Sequence, residues 1–539
     1  MKKVILMLVA TMLVLAACSS GKNNNDASPS NSPGSAAPSA SPSSSSKEKR
    51  TITFLLNHAD APYARALSQS GKVNDDMYVK KLSELSGYNL KFDFLNNSDY
   101  STQLSLRFAS GDLADMVRTG GINSNDHKGA VESGQFLELN ELIDQYAPHL
   151  KESIPEITWK SPRVSKDGKI YGIPVLTGTV SKNDRIGAFI RQDWLDKLKM
   201  PLPDTIDDWL AFYEAVKKED MNGNGNPDDE FGTAMFENIA YSGFFFGSFG
   251  VDPGAWHLVD GQLVPDMIRP EMREAVEFYR TLYDKGYINR DIFTKKGTDW
   301  DADIRNGKVA TLAGHVYQYA STYSPAAVPQ LFANQPNEAR FTMVPPPKGP
   351  RGEQYAGVEG DGIYFVWVIP KGTKNPEDLL KYLDWAWGSE DANNFFAYGI
   401  EGHNYTMEDG KVKYDMNNPA NLDNNASDMF RLSLNPKEIG LNNELAVATL
   451  DDAEAILAGY KMSDRIMMKN DGLYMPALPT LQKSPELNPW GQLFYDMFAK
   501  IMTGKEKIES FDKFVEDWKK RGGNDVIKEA TEWYNDFHK

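Results

Sequence analysis

The sequence predicts an α/β fold with a largely parallel sheet, because extended and helical patterns alternate from its first folded residues. Residues 51–56 form an apolar run typical of a strand, and residues 90–95 alternate apolar and polar side chains over most of their length. Between them, the apolar spacing within 78–85 predicts a helix that closes at Gly87. This strand–helix–strand order is typical of parallel sheets, whose strands need long crossover connections.

The same alternation continues with a helical pattern over 103–110 and a short strand over 115–117. Helices dominate the later part of the chain. Thr205 and Asp208 have the three-residue spacing of a capping box, in which each side chain accepts from the other residue's backbone. We therefore expect a helix to begin directly after Thr205. The sequence contains no internal repeat.

Composition limits the class of protein. About 520 residues follow the N-terminal leader, which is enough for two or three domains. The chain is 41% hydrophobic and contains 11 Trp, 24 Tyr and 26 Phe, as a folded globular protein does. Its formal net charge of −17 argues against nucleic acid and against a polybasic membrane-surface role, since both need clustered Lys and Arg. No segment after the leader is long and apolar enough to span a membrane.

The first 18 residues predict export and anchoring. Lys2 and Lys3 precede an apolar stretch over 4–17 that is too short for a comfortable membrane span. Cys18, the only cysteine, follows two alanines as in a bacterial lipobox, so cleavage would leave it as a diacylglyceryl-modified N-terminus. An ordinary signal peptide with an incidental cysteine is the alternative. With Cys18 lipidated, no thiol remains for disulfides, thiolate metal sites or nucleophilic catalysis.

A spacer follows the cysteine. Within 19–46 only Lys22 and Asp26 fall outside Ser, Asn, Pro, Ala and Gly, so this stretch has nothing to bury and is expected to be disordered. A tether of about 28 residues reaches roughly 30 Å, which suits a domain held just off a lipid surface.

The sharpest local motif is the sequence DMNGNGNPDDE at 220–230. Oxygen-bearing side chains occupy every second position from 220 to 228, and Gly225 stands sixth, as in a calcium-binding EF-hand loop. Position twelve of that loop is normally Glu but is Phe231 here, so Asp229 or Glu230 would have to close the site. A polar Asn/Gly turn without metal is the alternative. Bound calcium would be structural, because a loop saturated with protein oxygens leaves no open position for chemistry.

Aromatic clusters are the next candidates. Tyr241, Phe244 and Phe246 lie among glycines, while His315 and Tyr317 alternate after Gly314. Aromatic faces with a few polar groups suit a carbohydrate site, although aromatic core is the more common role of any single ring. Catalytic patterns are weak: the chain has no HExxH, GxSxG or P-loop motif, and no local pattern marks a carboxylate pair. The sequence thus favours binding over catalysis.

Several short motifs in order resemble one family. They are ASGDLAD at 109–115, DGKIYGIP at 167–174, IRQDWL at 190–195, the loop at 220–230, YGIEG at 398–402 with Tyr405, and IMTGK at 501–505. Together with the lipobox and spacer, they resemble the extracellular solute-binding lipoproteins of ABC transporters, specifically the LplA-like oligosaccharide-binding family of Gram-positive bacteria. The resemblance covers nearly the whole mature chain.

The resemblance implies a two-lobe, type II periplasmic-binding-protein-like fold whose lobes are joined by crossover strands near 168–175, 360–370 and 475–481. The implied organisation is a signal peptide (1–17), an anchor and tether (18–49), a first lobe (50–170 and 361–474) and a second lobe (171–360 and 475–539). In such folds the lobes close around ligand by a hinge motion.

The family further implies an oligosaccharide ligand, structural Ca²⁺, ABC permease subunits as partners and a monomer on the outer face of the cytoplasmic membrane. Cleft residues are expected on loops after strands and around aromatic clusters: His58, Asp60, Tyr63, Arg118, Tyr241, Phe244, Phe246, His315, Tyr317 and Trp490. The expected calcium ligands are Asp220, Asn222, Asn224, Asn226 through its backbone carbonyl, Asp228 and Asp229. A secreted polysaccharide lyase or glycosidase, and a sensor subunit that presents sugar to a signalling receptor, remain alternatives.

Overall fold

The computed structural model describes residues 49–57, 62–96, 99–176, 186–235, 243–316, 335, 339–415, 418–422 and 453–539. All of these residues belong to one compact unit, Lys49–Lys539. Cys18, the leader and the spacer lie outside the described residues. Among the helices that are described, none is long and apolar enough to cross a membrane.

The strands, numbered along the chain, are β1 Thr51–Asn57, β2 Asn89–Leu95, β3 Met116–Thr119, β4 Ser165–Lys166, β5 Lys169–Ile170, β6 Gly172–Leu176, β7 Ile186–Arg191, β8 Phe231–Thr233, β9 Trp256–Val259, β10 Gln262–Pro265, β11 Val309–His315, β12 Phe341–Val344, β13 Gly357–Val358, β14 Ile363–Val368, β15 Tyr405–Glu408, β16 Lys411–Tyr414 and β17 Met467–Met468.

The helices are α1 Pro62–Ser70, α2 Met77–Ser86, α3 Tyr100–Ser110, α4 Asn140–Tyr146, α5 Pro148–Ser153, α6 Glu156–Trp159, α7 Gln192–Leu198, α8 Ile206–Val216, α9 Gly243–Gly247, α10 Pro270–Asp284, α11 Gly297–Arg305, α12 Pro376–Gly388, α13 Glu390–Tyr398, α14 Pro419–Leu422, α15 Ala453–Ser463, α16 Pro479–Lys483, α17 Gln492–Met502, α18 Glu509–Trp518 and α19 Asn524–Phe537.

The first lobe is built on a five-stranded sheet in the order β2-β1-β3-β14-β6. Strand β1 runs parallel to β2 and β3, whereas β14 runs antiparallel to β3 and β6. The carboxyl ends of β1, β2, β3 and β6 and the start of β14 therefore share one edge of the sheet, which we call the first-lobe edge. The parallel strands and their crossover helices confirm the predicted α/β class.

Both faces of this sheet are covered, as parallel sheets require. On one face Phe54, Trp367 and Tyr382 pack ring against ring with centroids 5.6 Å apart, joined by helices α2, α12 and α13. On the other face Leu55, Val117 and Val366 form a second core with Leu104 of α3. The alternation of faces along β1 and β3 follows directly from the period of two in a strand.

The second lobe is built on a four-stranded sheet in the order β12-β7-β11-β8. Strand β7 runs antiparallel to β11 and β12, and β8 runs parallel to β11. The start of β7 and the ends of β8, β11 and β12 consequently lie at one edge, the second-lobe edge. The core of this lobe is aromatic and includes Trp194, Trp209 and Trp518, each with almost no exposed surface.

The chain passes from the first sheet to the second after β6 and returns to the first sheet before β14, whereas the predicted crossing segments 168–175 and 360–370 overlap β6 and β14, two strands of the first sheet. Strand β6 ends at Leu176 in the first sheet and β7 begins at Ile186 in the second. Strand β12 of the second sheet is followed by β14 of the first, within the predicted 360–370 segment. The predicted third crossing, 475–481, contains no strand: a loop there leads into α16. A short parallel pair, β13 with β17, instead joins 357–358 to 467–468.

Local signals in the sequence mark helix ends correctly. Thr205 accepts from the amide of Asp208, and the Asp208 carboxylate accepts from the amide of Thr205, so the capping box is present at the start of α8. Gly87 ends α2 in the left-handed conformation at φ 76°, which a glycine adopts without strain.

Candidate functional site

The first-lobe edge is the place where an α/β sheet of this topology binds ligands, because loops diverge at the carboxyl ends of its strands. The described residues at this edge include Arg118 near the end of β3 and Tyr364 at the start of β14. Arg118 lies opposite the buried Trp367 in the ladder between these strands. The ladder between β14 and β6 shifts register between Ile363 and Phe365, and at that irregularity Tyr364 is 37% exposed.

The Arg118 guanidinium lies over two aromatic rings. Its Cζ lies 4.3 Å from the ring centroid of Phe365 and 5.0 Å from that of Tyr364. The two rings are themselves 5.4 Å apart in an edge-to-face arrangement. The backbone carbonyl of Arg118 accepts from the Tyr100 hydroxyl at 2.5 Å, which fixes the strand at this point. A cation–π contact uses no hydrogen-bond acceptor, so the guanidinium can still donate to one.

A second arginine organises the neighbouring backbone. Arg163 Nη1 donates to both carboxylate oxygens of Asp361 at 3.1 Å and to the carbonyl of Ile363 at 2.8 Å. Its Nε donates to the carbonyl of Gly120 at 2.7 Å. Arg163 thereby ties the loop after β3 to the segment that enters β14. This contact gives the Asp361 carboxylate two hydrogen bonds and a positively charged partner.

Tyr474, from the second-lobe part of the chain, lies close to this segment. Burial, with the nearby negative charges of Asp361 and Glu359, raises the pKa of Tyr474 to about 12. Its ring stacks on Phe537 of α19 with centroids 6.3 Å apart, and its backbone is left-handed at φ 70°. A bulky residue holds this φ only where the surroundings fix it.

The second lobe contributes Trp490, a predicted ligand residue. Its partly exposed indole packs edge-to-face on Phe246 and Phe494, with centroids 5.8 and 5.7 Å away, and contacts Gly254. The Asp252 carboxyl lies against this indole and accepts from the amide of Gly254 at 2.7 Å. Burial, with the negative charge of Asp266, raises the pKa of Asp252 to about 6. An aromatic ring beside a hydrogen-bond acceptor is suited to a sugar ring.

A buried carboxylate supports the Asp252 loop from behind. Asp266 has no exposed surface and accepts from His257 Nδ1 at 2.7 Å, from Arg269 Nη1 at 2.9 Å and from the amide of Asp252 at 2.9 Å. These contacts satisfy a buried charge that would otherwise be strongly unfavourable. The loop that carries Asp252 is therefore rigidly held.

The structure describes only some of the predicted ligand residues. His58, Asp60, Tyr241 and Tyr317 lie outside the described residues, and for Tyr63 in α1 and His315 at the end of β11 only the backbone is described. His315 is the last residue of β11, at the second-lobe edge.

The prediction for two phenylalanines is wrong. Phe244 and Phe246 in α9 have no exposed surface and pack within the second-lobe core, against Trp209 and Tyr279 respectively. A side chain without exposed surface cannot contact a ligand. Helix α9 packs directly on the segment before β13 at its last residue, Gly247, where an added Cβ would lie 2.0 Å from the carbonyl oxygen of Tyr355. This close packing leaves the phenylalanines of α9 inside the core.

The loop at 220–230 folds as a series of turns closed by side-chain oxygens. Asp220 accepts from the amides of Gly223 and Gly225 at 2.7 and 2.8 Å. Asn222 accepts from the amide of Asn224 at 3.0 Å, and Asn224 from that of Asn226 at 2.7 Å. Gly223 and Gly225 have positive φ values of 73° and 85°, which the turns require.

The Asp229 carboxylate turns toward the loop. It accepts from the side-chain amides of Asn224 at 3.0 Å and Asn222 at 3.4 Å, and Lys308 Nζ lies 3.1 Å from its Oδ2. Carboxylate and amide oxygens are the ligands that Ca²⁺ prefers, and an amide can rotate its oxygen inward. Asp220, Asn222, Asn224 and Asp229 therefore fit a calcium ion, provided that Lys308 withdraws. The Asp228 side chain is exposed.

Glu230 has a different role from the predicted ligands. It has no exposed surface, and its Oε1 accepts from the amides of Met221 and Asn222 at 2.9 and 3.1 Å. Burial raises its pKa. Glu230 therefore anchors the start of the loop from inside the protein. Among the described residues no group of three or more His, Cys, Asp or Glu is placed to hold a metal, so a cation here depends on the asparagine oxygens.

Sequence reasoning missed Tyr364, Asp252 and the Arg163–Asp361 pair. Tyr364 lies in a run of six residues, IYFVWV, that is typical of a strand buried on both faces. Asp252 carries one available signal, its place in an Asp-Pro-Gly turn next to an aromatic cluster. Arg163 and Asp361 are 198 residues apart, so no local pattern pairs them.

Comparison with known proteins places the chain among binding proteins. Residues 77–410 match the profile of a family described as bacterial extracellular solute-binding protein. The chain is 25% identical to lipoprotein LipO of Bacillus subtilis over 87% of this chain and 91% of that protein. It is 24% identical to the polygalacturonan/rhamnogalacturonan-binding protein YtcQ of the same organism, over 90% and 91%.

Solved structures share the fold. FusA of Streptococcus pneumoniae, an ABC-transporter substrate-binding protein in complex with kestose, has a TM-score of 0.68 at 21% identity, covering 91% of this chain and 99% of that chain. An EF-hand mutant of FusA in complex with fructo-nystose has a TM-score of 0.67 at 20% identity, with the same coverage. These matches confirm the predicted two-lobe fold.

Proposed function

Because the chain belongs to the family of bacterial extracellular solute-binding proteins, we propose that it binds an oligosaccharide between its two lobes and delivers it unchanged to an ABC importer. The observation that carries this proposal is the pair of sheet edges joined by the β6–β7 crossing, with the stacked Arg118 at the first edge. Ligands bind at such edges in open α/β sheets.

The relatives support a carbohydrate ligand. YtcQ is named for pectic polymers, and FusA is described with kestose and fructo-nystose. The described groups suit sugars as well: Tyr364 and Trp490 offer partly exposed aromatic surfaces, and Arg118 and Asp252 offer a donor and an acceptor beside them. Aromatic faces stack on sugar rings while polar groups bind the hydroxyls.

Binding without turnover is tested against the lyase and glycosidase alternatives in one experiment. The protein is titrated calorimetrically with a panel of neutral and acidic oligosaccharides, and each mixture is then assayed for new reducing ends and for unsaturated products. We expect heat of binding with at least one glycan and no new ends. Cleavage products that increase with time would replace the receptor proposal with an enzyme.

We further propose that Ca²⁺ is held by the loop at 220–229, with Asp220, Asn222, Asn224 and Asp229 as side-chain ligands, Asn226 as a carbonyl ligand and Asp228 at the open side. A bound cation would neutralise the Asp220 and Asp229 carboxylates and lock the loop between α8 and β8. The chain's own residues already shape the loop through turns at 220, 222 and 224. FusA, described with an EF-hand, offers a precedent for such a loop within this fold.

Anchoring completes the proposal. Cys18 would carry the lipid, 19–46 would act as tether, and the receptor would stay near permease subunits at high effective concentration. The similarity to a protein named as a lipoprotein supports this arrangement.

A further inference from the structure

Arg118 is a cation whose hydrogen-bonding edge has no acceptor among the described residues. Its guanidinium contacts are the two rings of β14, at 4.3 and 5.0 Å. An arginine presents five N–H donors in a planar fork, and a cation–π contact supplies none of them with a hydrogen-bond acceptor. By contrast, the neighbouring Arg163 donates to Asp361 and to two backbone carbonyls.

The charge of Arg118 stands out in this chain. The protein has 75 acidic residues against 58 Lys and Arg, so it repels anions as a whole. Asp361, on the segment that enters β14, is already paired with Arg163. Arg118 therefore remains as a fixed, partly exposed positive charge at the carboxyl edge of a parallel sheet. Such a charge suits a ligand with a carboxylate, because a carboxylate matches the fork with two parallel hydrogen bonds.

Tyr364 supplies the second part of the site. It is 37% exposed and stands beside the guanidinium, so a sugar ring that stacks on it would place a ring substituent near the Arg118 fork. The register shift in β14 turns this ring outward, whereas its neighbours Ile363 and Phe365 are buried. Arg118 and Tyr364 thus form one pre-organised unit, fixed by Phe365 beneath.

We propose that Arg118 and Tyr364 form a uronate subsite, so that the ligand is an acidic oligosaccharide whose carboxylate binds the Arg118 guanidinium while its ring stacks on Tyr364. This inference rests on the proposed function and specifies its substrate class. A neutral glycan, whose vicinal hydroxyls would accept from the same fork, is the competing outcome.

The test uses matched acidic and neutral probes. The full-length mature protein is titrated with trigalacturonate, alginate trimers and hyaluronan tetrasaccharide, and each acid that binds is compared with its methyl ester. We expect methyl esterification to weaken binding about 30-fold or more, since it removes a charge-assisted bidentate contact. The affinity for the acid should also fall as salt rises, in contrast to that of a neutral sugar.

Variants separate a binding role from a structural one. Arg118→Gln should lose acid binding to the same degree, Arg118→Lys should retain part of it because the charge remains, and Tyr364→Leu should weaken the acid and its ester equally. Arg521→Gln, an exposed arginine paired with Asp517 on α18 and the following turn, is the matched control and should change neither. Melting curves exclude misfolding of each variant.

The outcomes distinguish this inference from the proposed function. Equal affinity for acid and ester, or unchanged acid binding in Arg118→Gln, would overturn the uronate subsite. If only neutral oligosaccharides bind, the receptor proposal stands and the subsite falls. If no oligosaccharide of either class binds, both fall together.

Discussion

Asp252 shows how a single side chain reports its surroundings. The carboxyl is held between the Trp490 indole and the buried Asp266, so ionisation is opposed both by lost hydration and by a like charge. Burial raises its pKa to about 6, above the value of about 3.9 expected in the unfolded chain. At neutral pH the folded protein therefore carries an unfavourable charge at this position.

This difference predicts a pH-dependent effect of Asp252→Asn. Below about pH 3.9 both states of the wild type are protonated and the carboxyl has no effect on stability. As the pH rises to 6, the unfolded state ionises first and stability is lost. Asn keeps the acceptor for the Gly254 amide without the charge. We expect the variant to be more stable by about 1 kcal/mol at pH 7.5, and this gain to vanish near pH 4.

Urea denaturation at pH 4, 5, 6 and 7.5 measures this effect. Asp260→Asn is the control, because Asp260 lies in the exposed turn between β9 and β10 at φ 49°, a conformation that Asn also adopts. A gain for Asp252→Asn that is the same at every pH would contradict the assignment of the effect to ionisation.

Residue types alone could not separate ligand residues from core. Phe246 and Trp490 belong to one ring cluster, yet Phe246 has no exposed surface and Trp490 keeps a partly exposed face. Which ring is covered depends on Gly247 and Tyr355, which are 108 residues apart in sequence and meet only in the folded chain. Arg118 stays a prediction as a ligand residue: the structure places it in β3, near the carboxyl end of the strand.

At the scale of single elements, local patterns were more informative. The strand over 51–56, the helix closed by Gly87 and the capping box at Thr205 are all present within a residue or two of their predicted bounds. Their signals are periodicity and backbone geometry, which act between near neighbours. The exposure of Tyr364 was not predicted, because it results from a register shift against β6, a strand about 190 residues earlier in the chain.

The loop at 220–230 leads to a prediction about calcium. Calcium should raise the melting temperature of the wild type by several degrees relative to EDTA, because a ligand that binds only the folded state stabilises it by about 2.7 kcal/mol at 100 times its Kd. Asp229→Asn should abolish most of this shift, since it removes the carboxylate that faces Asn222 and Asn224.

Scanning calorimetry measures the melting temperature in EDTA and in about 1 mM calcium, and magnesium is tested as the competing cation. Asp260→Asn is again the control, because it removes an acidic group from an exposed turn outside the loop at 220–230. This variant should keep the full calcium-induced rise in melting temperature. Identical melting in EDTA and calcium for the wild type would contradict the proposed metal site.

At the scale of the whole chain, the anchor is predicted to retain the receptor at the cell surface. Cys18→Ala removes the only thiol that could carry lipid. In a Gram-positive host we expect the wild type in the detergent phase of a Triton X-114 partition and the variant in the aqueous phase and the medium, because two acyl chains anchor stably. Ser19→Ala leaves the thiol in place and is the control. Equal partition of wild type and Cys18→Ala would point to an ordinary signal peptide.

The arrangement of the two lobes was predictable in outline and not in detail. The resemblance to the family implied the first two crossings, near 168–175 and 360–370, whereas the pairing of β13 with β17 joins segments of two residues each. Two-residue strands have no periodicity to detect. Their position still matters, since β13 directly precedes β14, which carries Tyr364, and β17 precedes Tyr474.

This arrangement predicts closure on ligand binding. Two-lobe folds of this kind close around ligand by a hinge motion, and Tyr474, from the second-lobe part of the chain, lies near Asp361 on the segment that enters β14. For residues 49–539 a compact chain would have a radius of gyration of about 23 Å. We expect X-ray scattering of the free protein to give a larger value, and saturation with a bound oligosaccharide to reduce it toward this limit. Trp490 is a predicted ligand residue of the second lobe. The Trp490→Ala variant should therefore need a higher oligosaccharide concentration to reach the same decrease in radius of gyration. An unchanged radius at saturating ligand would show that binding occurs without hinge closure.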